Sequence, residues 1–332
     1  MKRVLLMATN PKDGTSLWRA LGPFGHMQTQ MAGEVLFDTM EGEVSWNKYS
    51  MYSALFMQRP YNENHLKMAQ MARDMGKKIW VEYDDNLMEV PFSNPAYKAF
   101  SEPKIRQNIS KIVTMADVVT VSTGHLKKLF EVINSNTIVI PNAMDDTILQ
   151  PMKPDKKRNK LIAWRGSRTH DKDLIEYLKP MVQLAKDHPA WKWVFIGEPY
   201  FEVQSCMPPD RTLILQSIPF PRYFHFLNDF NAEIALVPLD DSKFNRSKSN
   251  IAYQEFVYSG AVPVVPDWEE WQLPGCEKYK TQAEFYVAVS KLINNADYRE
   301  TLRLEGKNHF QNNMVLSKVN HMRIDLLRAL IN

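Results

Sequence analysis

The strongest constraint on this chain is a rhythm that runs, stops and runs again. Short β-branched apolar runs at Arg3–Ala8, Tyr52–Met57, Ile79–Tyr83, Val118–Val121 and Thr137–Ile140 predict buried strands. Between them Asn64–Met75, Lys104–Met115 and His125–Ile133 carry apolar residues at three- and four-residue spacing, the pattern of amphipathic helices. Alternation of this kind builds a parallel sheet covered on both faces. The rhythm breaks at Pro151–Lys160, where two prolines and five basic residues show no apolar periodicity. That stretch reads as a solvated linker in preference to a nucleic-acid patch. Strands then return at Leu161–Trp164, Trp191–Ile196, Thr212–Gln216, Glu233–Val237 and Val262–Val265, with helices near Lys172–Asp187, Arg222–Phe230, Lys248–Tyr258 and Gln282–Asn294. The tail from Tyr298 to Ile331 is helical, with a break near Asn312 and Asn313. Two α/β units follow, and ligands bind outside the carboxyl ends of such strands, so the natural site is the cleft between the units.

Composition removes several function classes. Of 332 residues, 44% are hydrophobic and 24% charged, which is globular and not disordered. Net charge is only +3, from 41 basic and 38 acidic side chains, which argues against an obligate nucleic-acid binder while leaving a local basic groove open. Two cysteines, Cys206 and Cys276, make neither a disulfide framework nor a zinc knuckle. Met1–Met7 reads as a strand rather than a signal peptide, and no apolar run approaches the roughly 18 residues of a membrane span. The expectation is a soluble cytoplasmic protein.

Motif chemistry narrows the field further. No Gly-x-Gly-x-x-Gly follows a strand, no Gly-Lys-Ser/Thr step occurs, and neither a Gly-x-Ser-x-Gly elbow nor a His-Glu-x-x-His pair is present. Dinucleotide dehydrogenases, P-loop ATPases, α/β-hydrolases and zinc hydrolases therefore drop out. What remains lies after three strand ends. Trp164 to Asp171 places Gly166 and the capping residues Ser167, Thr169 and Asp171 between Arg165, Arg168 and His170, with Lys172 beyond, which suits a phosphate. Asn245 to Asn250 repeats the theme, with Ser247 or Ser249 as cap beside Arg246 and Lys248, and Glu255 one to two turns into the helix that follows. Glu255 is either a ribose ligand or a solvated helix residue. The third cluster, Glu82-Tyr83-Asp84-Asp85-Asn86, reads equally as acceptor contacts or a base and as a turn fixed by Asx hydrogen bonds. His125 opens a helix at the same cleft, where a structural role is the favoured reading.

These segments, in this order, resemble a known family. Glu255 through Val265, a Glu followed five residues later by Gly260 and then by Pro263-Val264-Val265, is similar to the matching segment of GT-B glycosyltransferases, especially the family 4-like group. There the Glu binds the ribose of a nucleotide-sugar donor. Asn245–Asn250 resembles the Lys-Ser variant of a branch that includes bacteriophage proteins. Ala163–Leu174 resembles that branch's Gly-Ser-x-x-His-x-x-Asp-Leu turn, and Val194–Gly197 its next strand. Ala116–Thr123 and Ile138–Asp145 resemble the last elements of the first domain, so the likeness covers the chain from about residue 52. Two features depart from it. Ser247 stands where many members carry a second Glu, and Asn10–Thr15, followed by Trp18, Arg19 and Gly22-Pro23-Phe24-Gly25, replaces the usual glycine-rich turn.

The resemblance implies two Rossmann-like domains facing each other: residues 1–150 for the acceptor, a linker at 151–160, residues 161–310 for the nucleotide sugar, and a helix at 311–332 crossing back. It implies transfer of a sugar from a nucleoside diphosphate sugar, expected to be a UDP-sugar, to a hydroxyl, with retention and without a metal or bound cofactor. Asp84, Asp85, Arg165 and Lys248 are the expected catalytic residues. Gly166, Ser167, His170, Lys172, Ser249, Asn250 and Glu255 are expected at the donor, and Trp18, Arg19, Arg59, His125 and Asn142 at the acceptor. Two alternatives stand beside this. The acceptor is a hydroxymethylated base in phage DNA, reached by Arg59, Lys77, Lys78, Trp18 and Phe24, or the protein is a non-catalytic relative, as the loss of Glu at Ser247 would allow.

Overall fold

A computed structural model describes residues 1–8, 13–40, 49–152, 159–199, 201–220 and 222–332. Part of the Asn10–Thr15 turn and residues 153–158 of the expected linker lie outside the described residues. The first sheet comprises β1 (Lys2–Met7), β2 (Val35–Thr39), β3 (Ala54–Gln58), β4 (Lys78–Tyr83), β5 (Val118–Val121) and β6 (Thr137–Val139), all parallel, in the order β2-β1-β3-β4-β5-β6. The second holds β7 (Leu161–Gly166), β8 (Lys192–Gly197), β9 (Thr212–Leu215), β10 (Ile234–Leu236), β11 (Val262–Pro266) and β12 (Glu277–Tyr279), also parallel, in the order β12-β11-β10-β7-β8-β9. The two predicted α/β units are therefore two Rossmann-like sheets.

The helices that matter below are α1 (Gly14–Ser16), continued by a π turn at Leu17–Leu21 into α2 (Gly22–Gln30), then α3 (Glu63–Asp74), α4 (Pro103–Met115) and α5 (Gly124–Phe130). The second half adds α6 (Asp171–Asp187), α7 (Arg222–Phe230), α8 (Lys243–Arg246), α9 (Ile251–Ser259), α10 (Gln282–Asn294), α11 (Ala296–Asn313), α12 (Leu316–Val319) and α13 (His321–Ile331). Gly22-Pro23-Phe24-Gly25, which follows the departure from the usual glycine-rich turn, is helical. Pro23 sits at the start of α2, just after the π turn, where its fixed φ suits the helix.

Register explains the packing. Leu6, Phe56, Trp80 and Val118 are paired neighbours across four strands, so their side chains form one row on one face. Phe24 of α2 meets that row edge-on, 4.6 Å from Phe56 and 5.4 Å from Trp80 between ring centroids. Leu316, Val319, Ile324 and Leu327 join the same buried cluster, so the C-terminal helices pack on the first sheet as expected. At roughly 1.5–3 kcal/mol per buried aliphatic side chain, this face depends on the end of the chain. Each crossing between the halves also grips the other: Met144 N–H donates to Met314 O at 2.9 Å, and Leu316 N–H to Met144 O at 2.8 Å.

Candidate functional site

In each sheet the strand order reverses once, and both reversals open on the same cleft of about 1130 Å³. Met7, Ala8, Gln58 and Arg59 line it from the ends of β1 and β3, and Arg165, Gly166 and Val237 from β7 and the end of β10. Topological switch points are where open parallel sheets bind ligands, because neighbouring loops part there.

On the second-sheet wall, Arg165 and Glu255 form an ion pair, with Nε 2.6 Å from Oε2 but without a hydrogen bond from that nitrogen. Tyr223 donates its hydroxyl to the same carboxylate at 2.9 Å. Glu255 is 3% exposed, so it is no solvated helix residue. Burial pushes its carboxyl up, and Arg165 and Tyr223 partly offset that. Lys248 faces the cleft with its ammonium 3.4 Å from both ring nitrogens of His170, and has no carboxylate within ion-pair distance among the described residues. Burial lowers its pKa, opposed by Asp173 and Asp85.

His170 is held by Asp173, its Nδ1 2.7 Å from Oδ2. Burial, with Lys248 nearby, drives its pKa down to about 4, so the ring is neutral at pH 7 and donates Nδ1–H to the carboxylate. Burial alone would raise the Asp173 carboxyl, but the His170 hydrogen bond and the Lys248 charge hold it low. Its other oxygen accepts from Asp240 N–H at 2.9 Å and Asn245 Nδ2 at 2.7 Å. Asp173 thus ties the start of α6, the loop after β10 and the α8 turn that leads to Lys248. Asp173 is the Asp of the Gly-Ser-x-x-His-x-x-Asp-Leu likeness, which assigns it no role. The signal available was its spacing three residues after His170, one helical turn.

On the first-sheet wall, Arg59 ends β3 with φ at +47°, a strained conformation for a residue other than glycine. Its guanidinium grips both carboxylates of the Asp84-Asp85 pair, with Nη2 2.8 Å from Asp84 Oδ2 and 2.7 Å from Asp85 Oδ2. Burial raises the Asp85 carboxyl, and Arg59 opposes the shift. The cluster is built from facing side chains, not from an Asx turn alone.

Of the expected site residues, Trp18, Arg59, Asp84, Asp85, Arg165, Gly166, Ser167, His170, Lys248, Ser249 and Glu255 line the cleft together. Five do not. Arg19 is wholly buried behind the wall, donating to Glu82 Oε1, Ile140 O and Asn142 Oδ1, so no acceptor reaches it. Asn142 is buried too and bridges Arg19 to Ser249 Oγ, at 2.6 Å. Asn250 donates to Glu270 Oε1 at 3.0 Å, Lys172 turns outward to Asp240 at 2.7 Å, and His125 starts α5 outside the cleft lining. The caps also differ from expectation. Neither Ser247 nor Ser249 caps α9, which starts from Asn250 without a side-chain cap, and α6 starts from a tight turn at Arg168–His170, also without one.

The cations proposed for DNA do not assemble. Lys77 and Lys78 sit at the start of β4, opposite the strand ends that form the cleft, bonded to Ser50 O and Asp117. Phe24 is core, and Trp18, 5% exposed, packs edge-on to Phe224 of the second half. Among the described residues no group of three or more His, Cys, Asp or Glu is placed to hold a metal ion, and no helix is long and apolar enough to cross a membrane.

No protein-family model and no curated protein matches the sequence. Solved structures do. The Anabaena protein Alr3699/HepE, solved with UDP-glucose, matches with a TM-score of 0.71 at 12% identity over 99% of this chain and 100% of that one. A UDP-forming α,α-trehalose-phosphate synthase from Burkholderia vietnamiensis matches at 0.66 and 13% identity over the whole of both chains. WaaG, a glycosyltransferase of lipopolysaccharide biosynthesis, matches at 0.62 and 9% identity over 98% of this chain and 99% of that one. At such identities the likeness establishes architecture. Two parallel six-stranded sheets facing across one cleft, closed by a returning C-terminal helix, are the GT-B fold.

Proposed function

We propose that this protein is a glycosyltransferase that moves a sugar from a nucleoside diphosphate sugar, a UDP-sugar, to a hydroxyl acceptor. The observation that carries the reading is Lys248, a cleft-facing cation without a carboxylate partner among the described residues, beside Arg165 at the switch point of the second sheet. A departing diphosphate needs fixed positive charge that requires no rearrangement as the bond breaks. The shared architecture with HepE bound to UDP-glucose supports the donor class.

In this reading Lys248 and Arg165 hold the diphosphate in place of a metal. Glu255 accepts the ribose hydroxyls, oriented by Tyr223 and Arg165, and His170 and Ser249 line the donor side. Asp85 accepts a hydrogen bond from the acceptor hydroxyl and aims it at the anomeric carbon. The bond from that carbon to the diphosphate oxygen breaks with its electron pair left on the diphosphate. The acceptor oxygen bonds to the carbon on the same face, and its proton passes to the leaving diphosphate oxygen. Retention follows from the resemblance to family 4-like enzymes, and closure of the halves excludes water.

Calorimetry with UDP, UDP-glucose and other nucleotide sugars tests the reading. Binding of a UDP-sugar that Lys248→Ala weakens is the expected result. Absence of binding across the panel, or unchanged affinity in the variant, overturns it.

A further inference from the structure

Charge is divided across the cleft. Among the described residues that line it, the second-sheet wall presents Arg165 and Lys248 with Glu255, Asp173 lying behind Lys248 and His170, whereas the first-sheet wall presents Asp13, Asp84 and Asp85 with the guanidinium of Arg59. That guanidinium is already shared between Asp84 and Asp85. A second anion placed on this wall would have to displace a carboxylate from Arg59 and then sit among three acids, so a phosphorylated or polyanionic molecule is repelled from it.

The same wall carries a neutral aromatic corner. Tyr61 lies edge-on to both Phe100 and His65, with ring centroids 5.0 and 5.3 Å away, and all three line the cleft. His65 accepts the Tyr61 backbone N–H at Nδ1, 3.0 Å away, which places its own proton on Nε2. Burial drives its pKa down to about 4, so at pH 7 the ring is uncharged, with Asn62 Nδ2 3.5 Å from its Nε2. Ring faces, carboxylate oxygens and N–H donors around one opening match the alternating C–H faces and hydroxyls of a sugar.

We infer that the acceptor is a neutral carbohydrate, a sugar or glycoside free of phosphate and carboxylate, seated on the first-sheet wall between Asp85–Arg59 and the Tyr61–His65–Phe100 corner. This inference rests on the glycosyl-transfer reading above and narrows its acceptor. The nucleotide binds to the cationic wall, and the acceptor is selected by the absence of charge as much as by its hydroxyls.

The test is UDP release from the UDP-sugar that calorimetry identifies, with four acceptors: methyl glucosides, maltose, glucose 6-phosphate and duplex DNA containing hydroxymethylcytosine. Release is expected to rise at least tenfold with a neutral glycoside and to stay at the hydrolysis background with the phosphate and the DNA. Tyr61→Ala and Phe100→Ala are each expected to raise the acceptor KM about tenfold while leaving the affinity for UDP within twofold, which also shows that the variants fold. Turnover of glucose 6-phosphate or DNA at the rate of the neutral glycosides overturns the inference, and so does an acceptor KM unmoved in both variants. Stimulation by none of the four acceptors, with UDP bound, overturns it as well. If UDP itself does not bind, the transfer reading fails first, so the two failures are told apart.

Discussion

Asp173 holds His170 at 2.7 Å and, through its other oxygen, holds the loops that carry Asp240 and Asn245. The pair makes stability depend on pH in a definite direction. The His170 pKa lies near 4 in the folded protein, below its ordinary value near 6.5. Between those values the unfolded chain binds a proton that the folded protein does not, so the contribution is present above pH 6.5 and is lost as pH falls toward 4. His65 adds a slope of the same sign. Urea melts from pH 7.5 to 4.5 are expected to lose stability on acidification, and His170→Gln to flatten that slope. A variant slope equal to that of the native protein counts against a neutral His170.

Removing the ammonium of Lys248 should weaken binding of the diphosphate specifically. Hydrogen bonds to charged groups are worth about 1.5–3 kcal/mol, so Lys248→Ala is expected to raise the Kd for UDP by about 10- to 150-fold. Affinity for uridine, which lacks the phosphates, should stay within a few-fold. Equal losses for the two ligands in calorimetry would show a disturbed pocket instead.

Glu255 balances a largely desolvated guanidinium, which sets the penalty for deleting it. Glu255→Ala leaves Arg165 without its carboxylate and Tyr223 without its acceptor, and breaking one side of a buried pair costs about 3–5 kcal/mol. Arg165 keeps some contact with water, so a loss near the lower figure is expected. Glu255→Gln keeps an acceptor for Tyr223 and should lose less. Chemical denaturation of the three proteins decides the order, and an alanine variant as stable as the native one rules out the balancing role.

Backbone fit makes Gly197 intolerant of any side chain. Its φ is +104°, and a Cβ there would lie 2.1 Å from the carbonyl oxygen of Gly166, which belongs to the donor-side turn. Gly197→Ala must push β7 and β8 apart at their cleft ends. A clear loss of thermal stability together with weakened UDP binding is expected, whereas Gly25→Ala, whose Cβ meets nothing within 4 Å, should leave UDP binding as it is.

The sequence announced every interior strand but, of the four edges, only β6 and β9. Central strands such as Val118–Val121 and Val262–Pro266 are buried throughout, so their apolar runs stand out. Edge strands β2 and β12 do not: Val35–Thr39 is buried only at its first residue, and Glu277–Tyr279 is three residues long with two charges. Both take their conformation from a neighbouring strand rather than from their own pattern. The cleft follows the same division. Arg59, Arg165 and Lys248 lie at legible strand ends and helix starts, but what each one faces comes from 25, 90 or 78 residues away in sequence. Arg19 in the π turn and Asn142 just past β6 show the converse: polar residues drawn inward by Glu82 and each other, where spacing gives no warning.

Because Met144 and Met314–Leu316 are bonded side by side, the two passages between the halves share one short seam. The first lobe is consequently a composite of both ends of the polypeptide. A protein cut after residue 150 would lack the helices that seal β1, β3 and β4, and would emerge from the ribosome with that face open to water. The core of the first lobe is complete only once Leu316, Val319, Ile324 and Leu327 have been made and packed.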